Sequence, residues 1–139
     1  MLQLDNQLCF ALYSTSLAMT KLYKPMLGEL GLTYPQYLAM LALWERDGLM
    51  VSELGECLYL DSGTLTPLLK RLEASGYISR LRAVDDERRV HITLTRAGRK
   101  LKARAAKIPG CILSASQCSL PELMSLTSQV QALRKKLVA

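Results

Sequence analysis

No Cys-x-x-Cys pair occurs in this chain, and its only histidine is His91. The four cysteines, Cys9, Cys57, Cys111 and Cys118, stand far apart, so no stretch has the ligand spacing of a zinc site. No metal and no cofactor are expected. Half of the residues are hydrophobic, yet no window approaches the run of about eighteen uncharged apolar residues that a membrane span requires. The opening MLQLDNQL lacks a basic stretch followed by an apolar run, so no signal peptide and no membrane partner are expected. The expected compartment is the reducing cytoplasm, where disulfides are transient and buried thiols mostly inert. Internal repeats and low-complexity linkers are absent as well.

What is present is enough chain for one compact domain, 139 residues, and a surplus of positive charge. A net charge of +6 and a pI near 9.3 favour a polyanionic partner, either nucleic acid or an acidic surface.

Asp5 or Asn6 is placed to cap a first helix running through Met19, Leu22 and Met26 to Gly28, with a broad apolar stripe that suggests burial on two sides. Thr33 and Pro35 start a second helix, TYPQYLAMLALWERDG, closed by Asp47-Gly48. VSELGECLYL, with Ser52 as cap, predicts a short third helix in which Cys57 serves packing. DSGTLTPLLKRLEASG, capped by Asp61 or Ser62 and stopped by Gly76, predicts a fourth. Two β-prone runs follow, Tyr77 to Arg82 and Val90 to Thr95, around a charged hairpin loop. Thr95 then caps RAGRKLKARAAKIP, interrupted near Pro109-Gly110, and a last helix runs from about Ser119 to Leu137.

This order places a winged helix-turn-helix between long terminal helices in a mainly α chain with one small β-hairpin. Residues 34–95 form the winged region, with a recognition helix over about 62–75 and a wing over about 77–95. Residues 1–30 and 96–139 supply the terminal helices of the same single domain, 1–139. Leu120, Leu123, Leu126, Val130, Leu133 and Leu137, with the stripe of the first helix, carry more apolar surface than so small a core can bury, which predicts a symmetric homodimer.

In the fourth helix a small polar first turn precedes the apolar face Leu65, Leu68, Leu69 and Leu72. Ser62, Gly63, Thr64, Thr66 and Pro67 suit close approach to base edges in a major groove, and Lys70 and Arg71 suit phosphates. A capped amphipathic helix with a solvated basic face is the plainer interpretation of the same residues. Around the hairpin, Arg80, Arg82, Arg88 and Arg89 cluster with Asp85, Asp86 and Glu87. An Arg at such a tip can enter a minor groove, with Asp86 orienting Arg88; the plain alternative is a salt-bridged surface turn. Directly after a helix-turn-helix pattern, the DNA interpretation gains weight.

DSGTLTPLLKRLEASGYISR followed by DDERRVHITLTRAG resembles the MarR family of dimeric transcriptional regulators, whose wing pattern is D-x-R followed by an apolar strand ending L-T. LDNQLCFALYS, with LGLTYPQYLAMLALWE, narrows the resemblance to the organic-hydroperoxide-sensing branch, the OhrR repressors. The resemblance is close from Leu4 to Gly98 and looser beyond. It implies a winged-helix dimer that reads successive major grooves of a near-palindromic operator in double-stranded DNA.

From the residues alone, Cys9 on an apolar helix face is either inert packing or a sensor. Tyr13, Tyr23, Tyr34 and Tyr37 fall within the first two helices, and phenol hydroxyls can donate to a thiolate. On a continuous helix Tyr23 lies fourteen residues, roughly 21 Å, from Cys9, so any contact between them must come from a partner subunit. The resemblance implies this arrangement: a reactive cysteine at the dimer interface, matched by Cys9, with tyrosines of the other chain, matched by Tyr23 and Tyr34, and Tyr13 in support.

The resemblance thus implies a repressor that leaves its operator when an organic hydroperoxide oxidises Cys9. Phe10, Leu12 and Met19 would favour lipid or aryl hydroperoxides as inducers. Two-cysteine members carry a resolving cysteine where this chain has Ser114; Cys111 and Cys118 flank it and share its face if the segment is helical, and the resolving thiol is either of these or neither, an external small-molecule thiol then taking the role. Two rivals remain: a MarR-type repressor released by a small aromatic ligand with Cys9 inert, and a thiol peroxidase. No histidine arrangement, CxxC or cofactor motif supports the second, so an enzyme is not expected.

Overall fold

A computed structural model describes residues 1–85 and 89–138. A 3-10 turn at Leu4–Asn6 leads into α1 (Leu8–Leu30), α2 (Tyr34–Glu45), α3 (Val51–Leu58), α4 (Ser62–Ala74), β1 (Ile78–Arg82), β2 (Val90–Leu94), α5 (Arg96–Ala105), α6 (Ile108–Ser116) and α7 (Leu120–Leu137). The expected winged helix-turn-helix is present, with a two-stranded antiparallel sheet in which Ile78 faces Leu94 and Arg82 faces Val90.

The caps explain most boundaries. Thr33 accepts the Gln36 amide while the Gln36 side chain accepts the Thr33 amide, a capping box that starts α2 with Pro35 in its first turn. Asp61 caps α4, Thr95 caps α5 by accepting the Gly98 amide, and Ser119 with Glu122 boxes the start of α7.

Four expectations need correction. Asp5 and Asn6 lie in the 3-10 turn rather than at the head of α1, and α1 passes through Gly28 to end at Leu30. Ser52 is inside α3, whose N-cap is Met50; the Glu53 carboxylate reaches back to the Met50 amide at 3.0 Å. Three helices, not two, follow the hairpin: the break falls at Ala106–Lys107, and Pro109 sits in the first turn of α6, where its missing N–H costs nothing. Cys57 is exposed on α3 instead of packed, because the buried face of that short helix is carried by Leu54.

The chain divides into two compact units, Lys24–Ala106 and the pair of segments Met1–Tyr23 and Lys107–Ala139. The core of the first draws on Tyr37, Met40 and Leu43 of α2, Leu54 of α3, Leu65, Leu69 and Leu72 of α4, Ile78 and Ile92 of the sheet, and Leu101 of α5. Each fully buried aliphatic side chain contributes about 1.5–3 kcal/mol, so the apolar face of α4 is what fixes the helix in place.

Polar contacts knit the same unit. Trp44 Nε1 donates to the Gly98 carbonyl at 3.0 Å, and any Cβ at Gly98 would collide with the Tyr77 carbonyl, so only glycine fits there. Tyr77 Oη donates to Leu30 O and Arg104 Nη2 to Glu29 O, satisfying carbonyls left open at the end of α1.

In the other unit, Ile108 and Ile112 are buried, whereas α7 has no buried residue among those described. Leu120, Met124, Leu126, Val130 and Leu137 of α7, and Leu4, Leu8, Phe10, Leu12 and Leu17 near the N-terminus, are exposed. No described helix is long and apolar enough to cross a membrane.

Candidate nucleic-acid interface and redox centre

The first turn of α4 is built to be presented. Leu65, Leu68, Leu69 and Leu72 are buried on one face, which leaves Ser62, Gly63, Thr64, Pro67, Lys70 and Arg71 exposed and Thr66 half-buried. Asp61 accepts the Thr64 amide at 2.8 Å, and that amide holds its carboxyl below the usual carboxylate range. The open N–H groups of the first turn are thereby partly satisfied within the protein, so base edges rather than a phosphate suit the helix tip.

The hairpin is anchored from two sides. Arg80 Nη2 meets Glu73 Oε1 of α4 at 3.1 Å, tying β1 to that helix. On the other side the α2–α3 loop lies along β2: Leu49 O accepts the Ile92 amide at 2.8 Å, Met50 pairs with His91 in an antiparallel bridge, and His91 Nδ1 donates to Gly48 O at 3.0 Å. Asp47 Oδ1 accepts both the Gly48 amide and the Leu94 amide. Sequence inspection missed this clasp, because Asp47-Gly48 has the composition of an ordinary turn and the partner at Leu94 is 47 residues away. Arg82 lies exposed at the end of β1, and Arg89 approaches Asp85 at 3.9 Å, a loose surface pair. Asp86 and Arg88 lie outside the described residues.

Cys9 is exposed on α1, with the exposed Tyr13 one turn further along. Tyr23 is on the same continuous helix, fourteen residues on and therefore roughly 21 Å away. Tyr34 opens α2, where burial pushes its phenol above the ordinary value and keeps it a neutral hydrogen-bond donor. Tyr37 packs against it with ring centroids 6.4 Å apart, and its phenol is raised by burial and then by the charge Tyr34 would carry if ionised.

The expected common face of Cys111, Ser114 and Cys118 does not form. Cys111 and Ser114 share α6, but that helix ends at Ser116, Gln117 takes a left-handed conformation at φ 59°, and Cys118 is in the connection to α7. Its amide donates to Ser116 Oγ. Cys111 is exposed and Cys118 half-buried, and all four cysteines are free thiols. Among the described residues no group of three or more His, Cys, Asp or Glu side chains could hold a metal ion.

Residues 21–105 match the family model of the SarA/Rot transcriptional regulators. The chain is 54% identical over 136 residues to the organic hydroperoxide resistance transcriptional regulator of Bacillus subtilis, covering 98% of this chain and 92% of that one. The chain is a MarR-type regulator of the organic hydroperoxide resistance branch. Its fold agrees with that assignment. The regulator superposes on reduced AbfR bound to DNA with a TM-score of 0.81 at 36% identity, covering 98% of this chain and 95% of the other. A disulfide-formed AbfR structure matches with a TM-score of 0.66 at 37% identity, over 96% of this chain and 89% of the other. MarR matches with a TM-score of 0.77 at 25% identity, over 95% and 98%. These relatives are transcriptional regulators rather than enzymes, and so is this chain.

Proposed function

We propose that the regulator is a homodimeric repressor that binds double-stranded operator DNA through α4 and the wing and leaves it when an organic hydroperoxide oxidises Cys9. The observation that carries this reading is the exposed Cys9 thiol, one turn from Tyr13 on an apolar stretch of α1, in a chain more than half identical to an organic hydroperoxide regulator.

The chemistry needs no cofactor. The Cys9 thiolate attacks one oxygen of the hydroperoxide O–O bond, which breaks; sulfur becomes a sulfenic acid and the alkoxide takes a proton to leave as an alcohol. A second thiol, from Cys111, Cys118 or a small cytoplasmic thiol, then displaces water to give a disulfide. Phe10 and Leu12, both exposed beside Cys9 in sequence, favour an apolar peroxide over hydrogen peroxide.

Two observations support the place of a second copy of the chain in this reading. The separation of Cys9 from Tyr23 along α1 requires that any phenol donated by Tyr23 come from a partner, with Tyr34 a further donor. An 18-residue helix with no buried side chain is marginal by itself, and covering Leu126, Val130 and their neighbours gives α7 the burial it lacks. Oxidation then biases the pose of the two winged units against successive grooves.

A Cys9→Ser variant tests the assignment. It is expected to hold operator DNA as tightly as the parent and to stay bound when an organic hydroperoxide is added; release of the serine variant by peroxide would overturn the reading.

A further inference from the structure

The turn between α3 and α4 contains a residue that backbone geometry disfavours. Tyr59 has φ 57° and ψ 38°, the left-handed region. Its amide bonds to Glu56 O and the next amide, Leu60 N, bonds to Gly55 O at 3.0 Å. That pair of bonds is a Schellman ending, in which the left-handed position is ordinarily glycine because a Cβ there is strained. The turn already uses a glycine where contact demands it: a Cβ at Gly55 would sit 3.0 Å from the Leu60 carbonyl. At Tyr59 the chain instead carries a large side chain, 58% exposed, so core packing does not account for it.

Strain held at an exposed position points to function. Tyr59 lies two residues before Asp61, the N-cap of the recognition helix, and so at the edge of the surface that α4 presents with Ser62, Thr64 and Lys70. A helix tip in a major groove brings the segment just before it to the groove's lip, where the chemistry on offer is phosphate. Resting on the operator-binding reading above, we propose that Tyr59 is a positioning residue for DNA binding whose phenol hydroxyl donates a hydrogen bond to an operator phosphate. Its left-handed backbone is held at the cost of local strain.

The test uses the full-length regulator and a duplex operator fragment, with affinity measured across a salt series and thermal midpoints measured alongside. Tyr59→Gly is expected to melt at the same temperature as the parent or higher, since glycine relieves the strain, while binding operator about tenfold more weakly, the worth of one hydrogen bond to a charged acceptor. Tyr59→Phe is expected to lose a similar factor. Because a neutral donor releases no counterion, neither variant changes the slope of log affinity against log salt, whereas Lys70→Ala lowers it by about one. Tyr59→Phe binding as tightly as the parent, with Lys70→Ala weakened, overturns this inference alone. If neither Lys70→Ala nor Arg71→Ala weakens binding, the placement of α4 on DNA falls and this inference falls with it.

Discussion

The Asp47 carboxylate accepts the backbone N–H of Leu94 at 2.8 Å, and so joins the loop after α2 to the last residue of β2. Leu94 is buried, so losing this acceptor strands an amide that water reaches poorly. Asp47→Ala is expected to lower stability by about 1–3 kcal/mol and to loosen the wing from the helix-turn-helix, raising amide exchange in β2 before the rest of the unit opens. Asp47→Asn keeps the oxygen and is expected to restore most of both. Equal exchange in parent and Asp47→Ala would show that the clasp is ornamental.

The cap of α4 carries a pH dependence. The Thr64 amide holds the Asp61 carboxyl below its ordinary range, so the folded state favours the ionised form. The resulting stabilisation is complete above the ordinary carboxylate range, roughly pH 4, and is lost as pH falls through the lower folded value. Asp61→Ala is therefore expected to weaken the helix start at neutral pH, with the difference from the parent shrinking in acid. The side chain is fully exposed and the effect modest; urea melts at several pH values would read it, and a parent-to-variant gap that widened in acid would contradict the assignment.

Much of the winged unit was legible in the sequence because its signals are local. Thr33, Asp61 and Thr95 all stand where its caps form, as Ser119 does for α7 in the other unit, and the periodic leucines of α4 all face the core. What escaped depends on tertiary contacts or on backbone conformation. Asp47 finds its partner 47 residues away, and Tyr59 adopts a conformation its residue type does not advertise. The shared face expected of Cys111 and Cys118 failed because one residue, Gln117, turns left-handed and ends α6 between them. Cys57 illustrates the same limit, since an apolar neighbourhood in sequence did not mean burial in the fold.

The proposed dimer surface predicts a change of mass without loss of fold. Leu126 and Val130 are four residues apart on α7 and both exposed in the single chain, so acidic replacements disturb no core. Leu126→Glu with Val130→Glu is expected to convert a dimer to a monomer in sedimentation while the helical signal of the winged unit persists. Operator affinity should fall at least a hundredfold as the two half-sites are read separately. A double variant that still sediments as a dimer would remove α7 from the interface.

The central claim is that the oxidation state of Cys9 sets operator occupancy. The most direct measurement is an operator-binding titration of the intact regulator with and without an organic hydroperoxide, with the mass of the Cys9 peptide recorded at each point. The account predicts that DNA release tracks the fraction of Cys9 carried to sulfenic acid or mixed disulfide, and that reduction by a thiol restores both mass and binding. Full operator binding by protein whose Cys9 is quantitatively oxidised would contradict it, and so would release with Cys9 unmodified.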